Sequence, residues 1–351
     1  MSESGTAPEV STGTVAAVEP AHADPARRRR LVAMGLLGLA SLAMPLLGTS
    51  YLLSAATLAL YLAYVGQAWN VMMGFAGQLS LGHSLYVGLG AYVAAGIFVH
   101  TGVGPWASVW LAVGACAAVG AFIGLLAFRL RIAGVQLSLL TIAFAELARI
   151  GFDHIDALGG PGGLFLPVVN RGHVDLLGFR GPPTLYYYAM LLLAAGALAL
   201  CALLLRSRAG YYWRAIREDE AAAEAVGINT FRWKMFAVVL SSAMTAVAGT
   251  FFAFYNNSLF PEQIFGFKRS VEILVGPVVG GLGTLFGPIV GAVTLVVLGD
   301  GTTELLNRAG IDLPGVRQGI HGLLLLLVTI YMPKGIWPPL ARALGFEAKR
   351  L

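Results

Sequence analysis

His83 closes the run Gly74-Phe75-Ala76-Gly77-Gln78-Leu79-Ser80-Leu81-Gly82-His83, which also carries Gln78 and Ser80. An imidazole can ligate a metal, move a proton, or donate and accept hydrogen bonds. Ligation or catalysis would need a second ligand at helical spacing, and the sequence supplies none beside His83. Glycines loosen a helix and expose backbone groups that are costly to leave unpaired in apolar surroundings. Gln78, Ser80 and His83 are therefore candidates to line a translocation pathway; the plainer alternative is that they only satisfy the freed backbone. Glu146 is a fourth pathway candidate, because intramembrane charges are functional by default. It precedes Arg149 by three residues, so a mutually neutralising structural pair competes with that role. Glu272 has Lys268 and Arg269 one helical turn away, a trio suited to an interface.

No catalytic or metal-binding residue emerges. Histidines are scattered, and Cys116 and Cys201 both sit inside apolar runs as small core residues. The chain has no Gly-x-x-x-x-Gly-Lys-Ser/Thr phosphate loop. Any ATP hydrolysis must then belong to partner subunits, and the chain itself is expected to bind no cofactor and to be no enzyme.

These polar groups must be positioned by an unusually apolar scaffold. Of 351 residues, 57% are hydrophobic and only 12% charged, with mean hydropathy +0.76. Soluble domains carry about a quarter charged residues, so a water-soluble enzyme is excluded. Leu31 to Phe128 contains no Asp, Glu, Lys or Arg. At about 20 residues per crossing, that stretch alone holds four transmembrane helices. The fold class is all-α, a polytopic integral membrane protein. The net charge of +5 includes the run Arg27–Arg30 against the first apolar segment, a cytoplasmic flank under the positive-inside rule. No aromatic or polar platform surrounds it, which argues against nucleic acid. Residues 1–30 form a disordered cytoplasmic tail ending in that basic flank. A signal peptide would need a cleavage site, but the apolar region runs past Leu60 without one, so the first helix is uncleaved.

Crossings are predicted near 31–48, 51–72, 84–100, 106–128 and 132–151. The long polar stretch 152–183, centred on Gly159-Gly160-Pro161-Gly162-Gly163, separates these from a crossing at Thr184–Leu205, with Tyr186–Tyr188 as an aromatic belt. Residues 206–234 hold ten charged side chains, six basic and four acidic. Crossings at 235–257 and 316–332 follow. Between them, 271–299 is rich in Gly and Pro and too long for one helix across a ~30 Å core. Split near Gly283, each half would be too short to cross alone, which is tolerated only inside protein or beside a water-filled cavity. Counting it as two passes gives about ten transmembrane segments, including broken short helices, and returns the C-terminus to the cytoplasm. The interruptions at 74–83 and 276–288 lie in opposite halves and run on to Gly90-Ala91 and Gly291-Ala292, as an internal repeat would predict.

The block Arg214-Ala215-Ile216-Arg217-Glu218-Asp219-Glu220-Ala221-Ala222-Ala223-Glu224-Ala225-Val226-Gly227 has helix-forming composition from Tyr211 to Val226, with Gly227 as its stop. Its alanines offer a close-packing surface between charges. It reads as a docking helix for a cytosolic partner or, more plainly, as an amphipathic loop helix.

This block resembles the cytoplasmic loop of bacterial ABC-importer permeases, and most closely that of the branched-chain amino-acid permeases. Glu220-Ala221-Ala222 reaches Gly227 with one residue more than the general signature. Gly77–His83 with Gly88, Gly90, Ala91 and Tyr92, Leu140–Glu146, and Met332-Pro333-Lys334-Gly335-Ile336 are similar to further segments of the same family, in the same order. The resemblance spans roughly 60 to 336. It implies a permease domain over 31–340, a coupling loop at 206–234, a periplasmic loop at 152–183 and a cytoplasmic tail at 341–351. It implies Arg214, Arg217, Glu218, Asp219, Glu220, Ala222, Glu224 and Gly227 as the ATPase-coupling residues. The implied partners are two cytosolic ATP-binding subunits, a second related permease, a periplasmic or lipid-anchored substrate-binding protein and the bilayer of a bacterial inner membrane. The implied cargo is a branched-chain or related small hydrophobic amino acid. Leu158 and Gly162 depart from the family's usual Thr and Asn or Asp, so permeases for urea or short amides remain in view. From a different class, a stand-alone ion-coupled secondary transporter would use Gly-broken helices equally well.

Overall fold

The computed structural model describes residues 38–46, 49–167, 175, 178–308 and 315–343. The 1–30 tail, part of the first crossing and residues 344–351 lie outside the described residues. Helix α1 includes 38–46. It is followed by α2 (Ser50–Asn70), which passes into a five-residue π turn, Val71–Phe75. Then come α3 (Ser84–Thr101), α4 (Pro105–Arg129), α5 (Gly134–Asp153) and α6 (Pro183–Arg206). Short helices α7 (Arg208–Glu218) and α8 (Glu220–Ala225) precede α9 (Thr230–Asn256). After it come α10 (Pro261–Phe265), α11 (Phe267–Gly280), α12 (Gly287–Arg308), α13 (Val316–Tyr331) and α14 (Trp337–Ala343).

Among the described residues, six helices are long and apolar enough to cross a membrane: α2 with its π turn, α3, α4, α5, α6 and α9. The chain is thus an all-α polytopic membrane protein. Among the described residues one small sheet pairs β1 (Leu164–Phe165) with β2 (Ser258–Leu259), antiparallel, Leu164 opposite Leu259. That pair ties the 152–183 loop to the end of α9.

Helix α2 is the hub, packed against α6, α9, α11 and α12, while α9 also lies along α3 and α4. Lipid tails give no hydrophobic drive between helices, so small residues that admit close backbone contact do the work. A side chain at Gly249 of α9 would enter the backbone of Val87 on α3, and one at Gly90 would enter that of Ala246.

Three elements differ from their sequence reading. The expected single helix from Tyr211 to Val226 is broken at Asp219, which is extended at φ −156°. Its carboxylate accepts from the Ala222 amide at 3.0 Å, so an N-cap restarts the helix in a new direction. Helix α9 begins at Thr230, not near 235, because Asn229 caps it through the Arg232 amide at 2.9 Å. The split in 271–299 falls between Gly280 and Gly287, but α12 runs on to Arg308 and is 22 residues long, about 33 Å at 1.5 Å per residue. Length therefore does not make α12 a half-helix; only α11, at 14 residues, is one. Hydropathy stopped the reading at 299, whereas charges at a helix end continue it, as the Arg308–Glu304 pair at 2.8 Å does.

Candidate functional site

The two glycine-rich interruptions, remote in sequence, meet at one end of the bundle. The Asn70 amide bridges them: Nδ2 donates to the Thr284 carbonyl at 3.0 Å, and Oδ1 accepts from the Gly283 amide at 2.9 Å. Gly74 lies against Asn70 and Gly283 so closely that a Cβ there would collide with both. The turn 281–286 satisfies itself through Thr284, whose hydroxyl donates to the Gly281 carbonyl at 2.7 Å and accepts from the Gly287 amide at 3.0 Å.

The loop α7–α8 covers the same end. Arg217 sends Nη1 to the Gly74 carbonyl at 2.5 Å, beside Gly283 and over Gly77. Its Nη2 pairs with Glu218 at 3.3 Å. The rest of the loop is braced from beneath. Trp213 is fully buried; its indole donates to the Trp233 carbonyl at 2.8 Å and its ring stacks on Phe236. Lys234 pairs with Glu220, and the Thr230 hydroxyl donates to Glu224 at 2.6 Å. Arg214 donates to the Leu205 carbonyl at the end of α6. Gly227, at φ +86°, closes α8: its amide bonds Glu224 and the Ile228 amide bonds Ala223, a Schellman pair that only the left-handed region permits.

The first interruption is packed in the interior. Ser80 and His83 are 0% and 1% exposed, and Gln78 is 8% exposed. His83 Nδ1 lies 3.2 Å from Ser80 Oγ, and Nε2 lies 3.0 Å from Ser241 Oγ. Ser241 spends its proton on the Ala68 carbonyl at 2.6 Å. It therefore accepts from Nε2–H, leaving Nδ1 to accept from Ser80, and the neutral ring satisfies every partner. Thr141 of α5 accepts from the Leu81 and Gly82 amides at 3.2 Å each, and Trp69 donates to the Ser80 carbonyl at 2.8 Å. Gln78 turns back on the Ala76 carbonyl at 3.0 Å.

Glu146 lies elsewhere, on the outward face of α5. It forms a ladder with Arg149 (2.5 Å) and, through Arg149, with Asp153 (3.0 Å). Glu146 keeps 49% of its side chain exposed. Among the described residues, no three His, Cys, Asp or Glu side chains gather as a metal site.

A family model for the branched-chain amino acid transport system permease component matches residues 51–330. This chain belongs to that family. It is 31% identical over 332 residues to the high-affinity branched-chain amino acid transport system permease protein LivM of Escherichia coli K12, covering 89% of this chain and 75% of the relative. It is 32% identical over 139 residues to LivH, a permease protein of the same name from Salmonella typhimurium, covering 40% and 42%. The probable LivH of Methanocaldococcus jannaschii is 26% identical over 176 residues, covering 49% and 54%. No solved structure matches the chain.

In this permease the sequence-selected residues separate into two groups. Arg217 alone reaches from the α7–α8 loop to the meeting point of the interruptions. Asp219, Glu220, Glu224 and Gly227 shape and brace the loop instead, and Glu218 remains 77% exposed. Ala221, Ala222, Ala225 and Val226 form the exposed apolar surface of α8, with Val226 78% exposed. Sequence reasoning passed over Asn70, Ser241 and Thr284, and gave Thr141 and Val226 no task of their own. Asn70, a polar residue in an apolar helix just before a glycine run, carried a usable signal.

Proposed function

We propose that the chain is one of two permeases in an ABC importer for branched-chain or related small hydrophobic amino acids, with Arg217 linking the ATPase-docking loop to the pathway. The single observation that carries this reading is the Arg217–Gly74 bond, which connects an exposed helix pair to the point where two broken helices touch. The exposed Ala221, Ala222, Ala225 and Val226 surface seats in one of two cytosolic ATP-binding subunits, which hydrolyse the ATP. The α7–α8 loop, Gly283 and the Met332–Ile336 segment share one end of the bundle, Ile336 bonding the Val279 carbonyl at 2.9 Å. Taking that end as cytoplasmic, α1–α6, α9 and α11–α13 make ten crossings with both termini inside. The opposite end, with the 152–183 loop and the β1–β2 pair, receives a periplasmic or lipid-anchored binding protein.

Charges at membrane depth are costly against lipid, so the half-exposed Glu146 ladder on α5 favours cover by the second, related permease or by the pathway between the two. Ser80 and His83 serve that pathway as pins of its wall. Closure of the ATPases would press α8 and, through Arg217, shift the second interruption against the first.

The test is co-purification in mild detergent of the tagged chain with and without A222E/V226E, alongside branched-chain amino-acid uptake. Two Walker-motif ATPases and a second permease, lost with uptake in the variant, are the expected result. A chain that purifies alone and drives proton- or sodium-coupled uptake in liposomes overturns the reading.

A further inference from the structure

Tyr61 on α2 is 3% exposed, yet its hydroxyl has no hydrogen-bond partner. Its ring packs against Phe251 and Phe252 of α9, with centroids 6.3 and 5.9 Å away. A phenylalanine would bury the same ring without leaving a polar atom unpaired, so the hydroxyl costs the resting structure stability. Arg269 and Glu272 of α11 bring charge to the same aromatic wall. Arg269 Nη1 donates to Glu272 Oε2 at 3.0 Å, and its guanidinium lies over the Phe252 ring at 4.7 Å. Their side chains are 16% and 34% exposed, so the pair is neither sealed nor fully in water. A guanidinium has five N–H donors. Glu272 takes one, and among the described residues no other side chain takes another.

One cation with spare donors, one anion with spare acceptors, an unused hydroxyl and an aromatic wall therefore converge where α2, α9 and α11 pack together. We propose that Arg269, Glu272 and Tyr61 form a transit subsite for the zwitterionic head of an α-amino acid, with Phe252 and the Tyr61 ring against its apolar side chain. This inference rests on the reading of the chain as an amino-acid permease. The substrate carboxylate takes Arg269 and the Tyr61 hydroxyl, and the ammonium takes Glu272. Inserting a zwitterion replaces one ion pair with two, and the site stays neutral empty and loaded, so no co-transported ion is required for charge balance. A lone anion or cation would leave one charge of the pair uncompensated, which disfavours deaminated acids and simple amines.

The test is labelled leucine uptake by cells carrying the chain with its native partner subunits, comparing wild type, Tyr61→Phe and the charge swap Arg269→Glu/Glu272→Arg. Membrane level and co-purification of partners are measured for each. The swap rebuilds an i,i+3 ion pair of reversed polarity, so a merely structural pair would be rescued by it. The expected result is normal membrane level and assembly with uptake down about tenfold or more in the swap, the scale of an interaction made with a charged group. Tyr61→Phe is expected to lower uptake about three- to tenfold at unchanged or higher thermal stability. Wild-type uptake in Tyr61→Phe overturns the proposal even if the swap fails to assemble, and wild-type uptake in an assembled swap does so as well. Absence of leucine, isoleucine and valine uptake in the wild type overturns the underlying functional reading, and the subsite with it.

Discussion

The two interruptions break helices with the same residue, glycine, and are held in different ways. The first, 74–83, is fastened by side chains of three helices, Trp69 of α2, Thr141 of α5 and Ser241 of α9, with Arg217 on its Gly74 edge. Its Ser80, Gly82 and His83 are buried. The second, 281–286, is held from outside by the Asn70 amide and the Phe286–Trp337 ring contact and lies half exposed, with Leu282 40% exposed, beside the tip of Arg217. Unwound backbone in a membrane must be satisfied wherever it lies, but the number of elements sharing that task sets how freely it moves. A segment bonded to three helices shifts only if all three shift. A segment bonded through one amide can swing when its neighbour is pushed.

The largest expected effect comes from wedging apart α11 and α12, the two helices that flank the second interruption. Gly291→Val forces a side chain of α12 into the Gly276 carbonyl of α11, an overpacking cost of about 1–3 kcal/mol. Loss of a monodisperse peak in size-exclusion chromatography checks it, and a normal peak would refute so tight a contact. Next, Arg217→Ala removes the link between α7 and Gly74 while leaving the Val226 surface intact. Uptake should fall about tenfold with ATPase co-purification unchanged, equivalent to the ~1.4 kcal/mol of one charge-assisted bond. Unaltered uptake would show that force enters the permease elsewhere.

Paired variants sharpen the contrast further. Thr141→Val leaves two amides unpaired, and interhelical bonds in membranes are worth about 0.6 to 1.7 kcal/mol. It should lower detergent melting temperature while uptake per inserted molecule is kept. Asn70→Leu should do the reverse, reducing uptake more than it reduces melting temperature. If the two variants behave alike, the interruptions are mechanically equivalent and the distinction fails. The smallest effect is expected for Gln78→Ala, whose side chain bonds only its own neighbouring carbonyl. Both stability and uptake should stay within about 0.5 kcal/mol of wild type, as for substitutions away from shared networks.

Much of the fold was legible because lipid imposes length and composition on every helix. The predicted 106–128 and 184–205 crossings differ from α4 and α6 by one residue at each end. Errors arose where a polar side chain rewrites local geometry. Asp219 fits a helix by composition yet acts as a cap, and the charged end of α12 belongs to the helix although hydropathy rejects it. For the site, the fold separates residues that the family resemblance groups together. The resemblance implies one ATPase-coupling role for Glu220, Glu224 and Arg217, and the carboxylates of the first two face Lys234 and Thr230 of α9.

Membrane class, the order of crossings, both glycine-rich interruptions and the charged loop follow from the amino-acid sequence itself. Each is a property of a contiguous stretch: hydropathy over some twenty residues, or helix-breaking residues clustered together. Only the tertiary structure decided that the interruptions touch, that Asn70 joins them across 214 positions and that Arg217 reaches Gly74 across 143. Helix packing sets such contacts, and it depends on where small residues let backbones approach, summed over the whole bundle.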